Sequence, residues 1–171
     1  MRKPKNPLTM LALSAALSVL AGCANYQLGT TLPPHLRSIN VETFKNTSKE
    51  PQIETTITSE TIREFQRDGQ LKVKDPDEAD ILLRGVITQY KLEPMRSNRN
   101  NPKATLEYKA VVTVQINAVE RATGKKVVIQ SVTGSKIFEV KGDLMTARRN
   151  ILPEVSRELG RKVVDAVISA W

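Results

Sequence analysis

The sequence predicts a two-layer α+β sandwich, in which two helices pack on one face of a mixed, mostly antiparallel sheet of four to five strands. Three observations predict it. From Leu106 to Ala118 the residues Leu106, Tyr108, Ala110, Val112, Val114, Ile116 and Ala118 take every even position, the period of a strand with one buried face. Two other stretches, Ile53 to Phe65 and Leu144 to Ala170, repeat apolar residues every three to four positions, the period of a helix with one buried stripe. The order strand, helix, four strands, helix supplies two helices for one sheet, and layering them buries both apolar surfaces.

The elements follow in order. Ser38 to Phe44 alternates Ile39, Val41 and Thr43 against Asn40 and Glu42, a half-buried strand. Asn46-Thr47-Ser48 turns the chain, Pro51 suits the first position of a helix, and Ile53, Ile57, Thr61 with Ile62, and Phe65 form its stripe up to Gly69, a left-handed terminating residue. Four threonines lower the propensity of this helix, so it depends on packing against the sheet. Leu71 to Val73 reads as a short strand, Asp75 to Asp80 as an acidic turn, and Ile81 to Leu92 as a further strand. Asp75, Asp77, Glu78 and Asp80 lack the Gly and terminal Glu of a calcium loop, which leaves a solvated connection that blunts a strand edge. The odd positions after Leu106 carry Glu107, Lys109, Thr113, Gln115 and Asn117, a polar face turned to water or to a wet partner. Thr123-Gly124-Lys125 reverses the chain into a strand from Val127 to Val140, interrupted by Gly134 and antiparallel to its predecessor. The last helix runs from Asp143 to the C-terminus, with Pro153 expected to kink or restart it. The first strand and helix are expected to cross over right-handed to the second strand, with an antiparallel meander after it.

The chain has 171 residues and a net charge of +8, with 40% hydrophobic and 26% charged residues, which is single-domain size and globular composition. Wholesale disorder, collagen-like repeats and a polytopic membrane protein do not fit. One Cys excludes an internal disulfide framework, and one Cys with one His excludes the usual zinc sites. No cofactor is expected.

The N-terminus stands apart from the fold. Arg2, Lys3 and Lys5 precede an uncharged apolar run from Leu8 to Gly22, which is a signal-peptide pattern and too short to span a bilayer as a helix. The run ends in Leu20-Ala21-Gly22-Cys23, which resembles the lipobox of bacterial lipoproteins. The resemblance implies removal of residues 1–22 and a diacylglyceryl group and palmitate on Cys23, and stable anchoring does take more than one acyl chain. In that pattern an Asp after the Cys retains the protein at the inner membrane; Ala24 stands here, so the outer membrane, periplasmic side, is expected. Cleavage leaves 149 residues at +5. Residues 23–36 read as the acylated Cys and a tether, with His35 solvated in it, and residues 37–171 as a single domain.

Several stretches together carry a resemblance to the LptE-like lipoproteins of lipopolysaccharide assembly. They are Leu20-Ala21-Gly22-Cys23 with Tyr26, Leu28 and Gly29; Leu32-Pro33 before Ile39 to Asn46; Glu50-Pro51 through Glu64-Phe65; Asp68-Gly69 with Leu71; and Ala79 to Ile87. Their order is the specific feature. The resemblance implies a non-enzymatic outer-membrane component that plugs and helps assemble an LptD-type β-barrel translocon and assists delivery of lipopolysaccharide to the outer leaflet. The departures are Pro153 and the loop from Arg96 to Asn101, rich in Asn and Arg.

In an antiparallel meander the Glu93 to Lys103 loop and the Glu139 to Asp143 connection share one end of the sheet. Lys91, Arg96, Arg99, Lys103, Lys136, Lys141, Arg148 and Arg149 would meet there against Glu93, Glu139 and Asp143. Arg forks and Lys point charges suit the phosphates of lipid A, so these eight are the candidate glycolipid-binding residues; a solvated basic rim is the alternative. Nucleic acid is not an expected partner, since the chain is exported and has few aromatic stacking platforms. No Ser, His and acid arrangement, phosphate loop or nucleophile elbow is present, so no catalytic residues are expected. An activator of an inner-membrane peptidoglycan synthase, or an envelope scaffold, is the alternative function. Such an activator needs a long linker, whereas Ala24 to Leu36 reaches at most about 45 Å.

Overall fold

The computed structural model describes residues 32–97 and 105–171. The leader, Cys23 and most of the tether lie outside the described residues, as do Arg99 and Lys103. The elements are β1 (Ser38–Val41), β2 (Lys45–Asn46), α1 (Glu54–Asp68), β3 (Lys72–Val73), β4 (Ile81–Ser97), β5 (Thr105–Glu120), β6 (Lys126–Glu139) and α2 (Leu144–Ile168). They form the expected α+β sandwich, with six strands in one mixed sheet ordered β3, β1, β4, β5, β6, and β2 beside β4.

The topology departs from a simple meander in one respect. β3 is parallel to β1, as expected, but β4 does not continue from β3; it pairs in parallel with the opposite side of β1. Asp80 fastens this arrangement. Its carboxylate accepts from the main-chain N–H groups of Arg37 (2.9 Å) and Ser38 (3.0 Å) and from the Ser38 hydroxyl (2.7 Å), while its own N–H donates to Ser38 Oγ. The acidic turn thereby ties the start of β4 to the start of β1. The Ser38 hydroxyl, helped by those N–H groups, holds the Asp80 carboxyl below the usual carboxylate range against the opposing effect of burial.

From Ala110 to Ala118 the even residues of β5 are buried as the sequence predicts, and they form the core with Ile81, Leu83 and Ile87 of β4 and Val132 of β6; Tyr108 is half-buried, and the side chain of Leu106 lies outside the described residues. α1 contributes Ile57 and Phe65, and α2 contributes Ile151, Val155, Leu159, Val163 and Val167. Leu32 and Leu36 also join this core, so the final part of the expected tether is packed into the domain. The first strand is shorter than expected: it ends at Val41, Thr43 is exposed, and Phe44 fills the core instead.

α1 begins at Glu54, past Pro51, and Gly69 ends it in the left-handed conformation (φ 77°), its N–H donating to the Phe65 carbonyl. α2 begins on Asp143, whose side chain accepts from the N–H groups of Met145 and Thr146. It continues through Pro153 without a restart, because the packed Ile151, Val155 and Leu159 stripe outweighs one missing hydrogen bond. Gly134 does not interrupt β6 either. It is the place where α2 lies on the strand: a Cβ there would be 2.7 Å from Leu159 Cβ and 2.8 Å from its Cα and N.

Candidate functional site

The long strands β4, β5 and β6 have two unlike faces. The even side of β5 lies under the helices, whereas no helix among the described residues covers the odd side. On that open face Thr113 lies opposite Thr133, with hydroxyls 3.1 Å apart, and Gln115 lies opposite Ser131. Val86 contributes apolar area, Val111 on the same side is buried, and Ile129 and Ile137 stand out from the face, 48% and 57% exposed. Arg84 is held by Glu42 at 2.8 Å. A sheet face that mixes hydroxyl, amide and aliphatic groups is suited to a partner surface that is itself partly wet.

The expected basic end exists as a place in the fold. β4 and β5 pair out to Ser97 and Thr105, and Glu139 at the end of β6 lies opposite Glu107, so the β4–β5 tip and the start of α2 share one end. Part of the anticipated loop, Glu93 to Ser97, is strand. The basic side chains there divide between the faces and differ in how their charge is met. Lys91 is in register with Val111 on the open face and lies 2.5 Å from Glu93. That ammonium, hydrogen-bonded to the carboxylate, keeps the Glu93 carboxyl below its ordinary range. Lys141 lies 3.7 Å from Glu139. Lys136, in register with Ala110, is on the helix side and exposed beside Glu154 and Arg157, with no ion pair among the described residues. Arg149 is exposed in the first turns of α2, near Asp143. Arg96 lies opposite Glu107 in the ladder.

Arg148 has a different environment. It forms an ion pair with Glu50, ahead of α1, and its guanidinium lies over the Tyr90 ring, 5.2 Å from the centroid. Burial pushes the Tyr90 hydroxyl up, and Arg148 opposes that. This cluster joins the start of α2, strand β4 and the segment before α1, so its first role is to hold the two layers together. Sequence patterning reveals neither Glu50 nor Tyr90 as its partners, because Glu50 lies outside any periodic element and 98 positions away.

A family model described as LptE, lipopolysaccharide assembly, matches residues 36–167. The chain belongs to the LptE lipopolysaccharide-assembly lipoprotein family. The match begins at the buried Leu36 and ends at Val167 in the last turn of α2, so it spans the whole sandwich. No curated protein matches the chain. Among solved structures, the chain resembles a PelC dodecamer from Paraburkholderia phytofirmans (15% identity, 82% of this chain and 95% of that one, TM-score 0.53). It also resembles protein XCC0632 from Xanthomonas campestris (9%, 81% and 90%, 0.57) and the hypothetical protein CT253 from Chlamydia trachomatis (10%, 78% and 96%, 0.56). At these identities the likeness is one of fold. The LptE family is non-enzymatic, and no helix of the described residues is long and apolar enough to cross a membrane.

Proposed function

We propose that this LptE-family protein is held at the periplasmic side of the outer membrane by acyl chains on Cys23. There it seats in the lumen of an LptD-type β-barrel, helping that barrel to assemble and to deliver lipopolysaccharide outward. The observation that carries the proposal is family membership over residues 36–167 together with the mixed polar and aliphatic face of β4 to β6 that no helix among the described residues covers. A barrel lumen is polar and wet, and such a face can meet it with hydrogen bonds and bridging water. The short span from Cys23 to the buried Leu32 also supports the reading, since nine residues reach at most about 30 Å and keep the domain beside the membrane that anchors it.

Lipid A is the second part of the proposal. The exposed Lys136 and Arg149, with Arg96, Arg99 and Lys103 of the β4–β5 tip, would receive its phosphates; Lys91, Lys141 and Arg148 are already paired and contribute less. Affinity capture of the tagged, acylated protein from detergent-solubilised outer membrane tests the first part. A large β-barrel recovered in near-equal amount, and capturing this protein in return, is the expected result. Recovery of a peptidoglycan synthase, or of no barrel, overturns it.

A further inference from the structure

The sheet leaves one of its longest strands at an edge. β6 runs for 14 residues with β5 on one side and no strand among the described residues on the other. The ladder fixes which main-chain groups that edge offers. The Leu83 and Ile87 carbonyls of β4 turn away from β5 and accept from the N–H groups of Glu42 and Thr47. Their partners Ala118 and Val114 are therefore not bonded to β4, and the even residues of β5 bond to β6 instead. Even residues of β6 meet even residues of β5, so the odd ones, from Ile129 to Ile137, turn their N–H and C=O groups outward. The Thr133 carbonyl agrees, since it accepts from Lys162 Nζ of α2 at 2.9 Å.

The edge has room for a further strand on both sides. α2 lies along β6, pressed on it at Gly134, and leaves a groove at each end of the strand. One, of about 400 Å³, lies between Val128 and Gln130 of β6 and Asp165, Ala166 and Ser169 of α2. The other, of about 200 Å³, lies between Phe138 and the first turns of α2 at Ala147 and Asn150. On the open face Ile129 and Ile137 stand exposed at either end of Ser131, Thr133 and Ser135. Side chains that alternate along an added strand would fall into the grooves on one side and beside these isoleucines on the other.

We propose, resting on the barrel reading, that an extended segment of the barrel's own chain turns into the lumen and adds to β6 as a further strand. The contact joins one domain to one barrel. Continuity selects this occupant, since Ile129 and Ile137 belong both to the open edge and to the face that would meet the lumen. A closed barrel spends the main-chain groups of its wall strands on its own ladder, so only a segment that leaves the wall has N–H and C=O groups to give. A wall close to β6 also displaces the water that serves the outward groups, and leaving them unpaired would be costly. Five outward residues offer about ten main-chain bonds, the number an ordinary interface carries. Lys162 is the detachable cap. Its ammonium satisfies the Thr133 carbonyl in the free domain and lies 3.7 Å from Glu158, so it keeps a carboxylate partner when an N–H of the added strand takes that carbonyl.

Hydrogen exchange of the full-length acylated protein in detergent, read residue by residue in the free protein and in the captured barrel complex, tests the proposal. In the free protein the outward amides of Ile129, Ser131, Thr133, Ser135 and Ile137 should exchange faster than those of Gln130, Val132 and Gly134. In the complex that difference should be lost. Ser131→Pro removes an outward N–H that β5 does not use, so it should keep the wild-type urea midpoint and lose barrel capture, whereas Ser131→Ala keeps both. A photoreactive side chain at Ser131, which is exposed, should join this chain to the barrel. A captured barrel with the outward amides as open as before overturns the strand addition and leaves the barrel reading standing. So does a folded Ser131→Pro protein captured as well as Ser131→Ala, or a cross-link to a third polypeptide. Recovery of no barrel overturns the barrel reading itself, and the strand addition with it.

Discussion

Replacing Gly134 with alanine tests how the helix layer sits on the sheet. The new Cβ would lie 2.7 Å from Leu159 Cβ and 2.8 Å from both Leu159 Cα and N, so α2 itself must move away from β6. Overpacking of this kind costs about 1–3 kcal/mol. Alanine regains about 0.5–1 kcal/mol over glycine in a strand, and contacts with helix backbone place the clash at the upper end, which leaves a net loss of about 2 kcal/mol. With a urea m-value of about 2 kcal/mol per molar for a domain of this size, the midpoint should fall by about 1 M. Gly85 is the control. The three atoms nearest a Cβ there all belong to the Phe44 ring, at 2.7 to 2.8 Å, and a ring can be exchanged where a helix backbone cannot. Urea unfolding followed by far-UV circular dichroism should show Gly85→Ala partly relieved by Phe44→Leu, with a coupling of about 1–2 kcal/mol. Gly134→Ala should gain no relief from Leu159→Ala, and the two losses should add. A Gly134→Ala midpoint equal to wild type, or its rescue by Leu159→Ala, would refute the reasoning.

Asp80→Asn should destabilise the fold by about 1–2 kcal/mol at neutral pH, since charge-assisted bonds to the start of β1 become neutral ones. Because the native Asp80 carboxyl is depressed, its contribution is complete above about pH 5 and declines as pH falls below the ordinary value of 3.8 and through the lower native one; the variant should lack that part of the acid sensitivity in a pH series of melts. Arg148→Met should cost about 1–2 kcal/mol by stranding the partly buried Glu50 and removing the cation over Tyr90, and the double variant with Glu50→Gln should cost less than the sum, as a double-mutant cycle in urea would show. Reversing Arg96, Arg99 and Lys136 to Glu should weaken glycolipid binding in a displacement assay with the circular dichroism spectrum unchanged; undiminished binding would refute the lipid A reading.

Much of the fold is legible along the chain because periodicity reports which side of an element meets the core. The even-position run gives β5, and its part from Ala110 to Ala118 gives the buried face; the spacing from Leu144 onward gives α2. Pro153 and Gly134 mislead for the same reason. Each is a local helix- or strand-breaking signal, and each is overridden where the two layers press together, Pro153 by its stripe in the core and Gly134 by the close approach of Leu159. Along the basic end, residue positions could be read but charge state could not. Charge on a side chain is met by whatever carboxylate the fold brings near, and for Arg148 that carboxylate is Glu50, which arrives from another part of the chain.

The two periods, the order of elements, the basic balance and the family resemblance could all be read along the chain, because they are properties of sequence neighbours. Packing across the sheet places β4 on the far side of β1, where Asp80 reaches Ser38 across 42 positions. It alone separated Lys91 on the open face from Lys136 on the helix side, and turned the Thr133 carbonyl to the free edge of β6. Those outcomes depend on strand register, and register is fixed by packing between residues that the sequence keeps far apart.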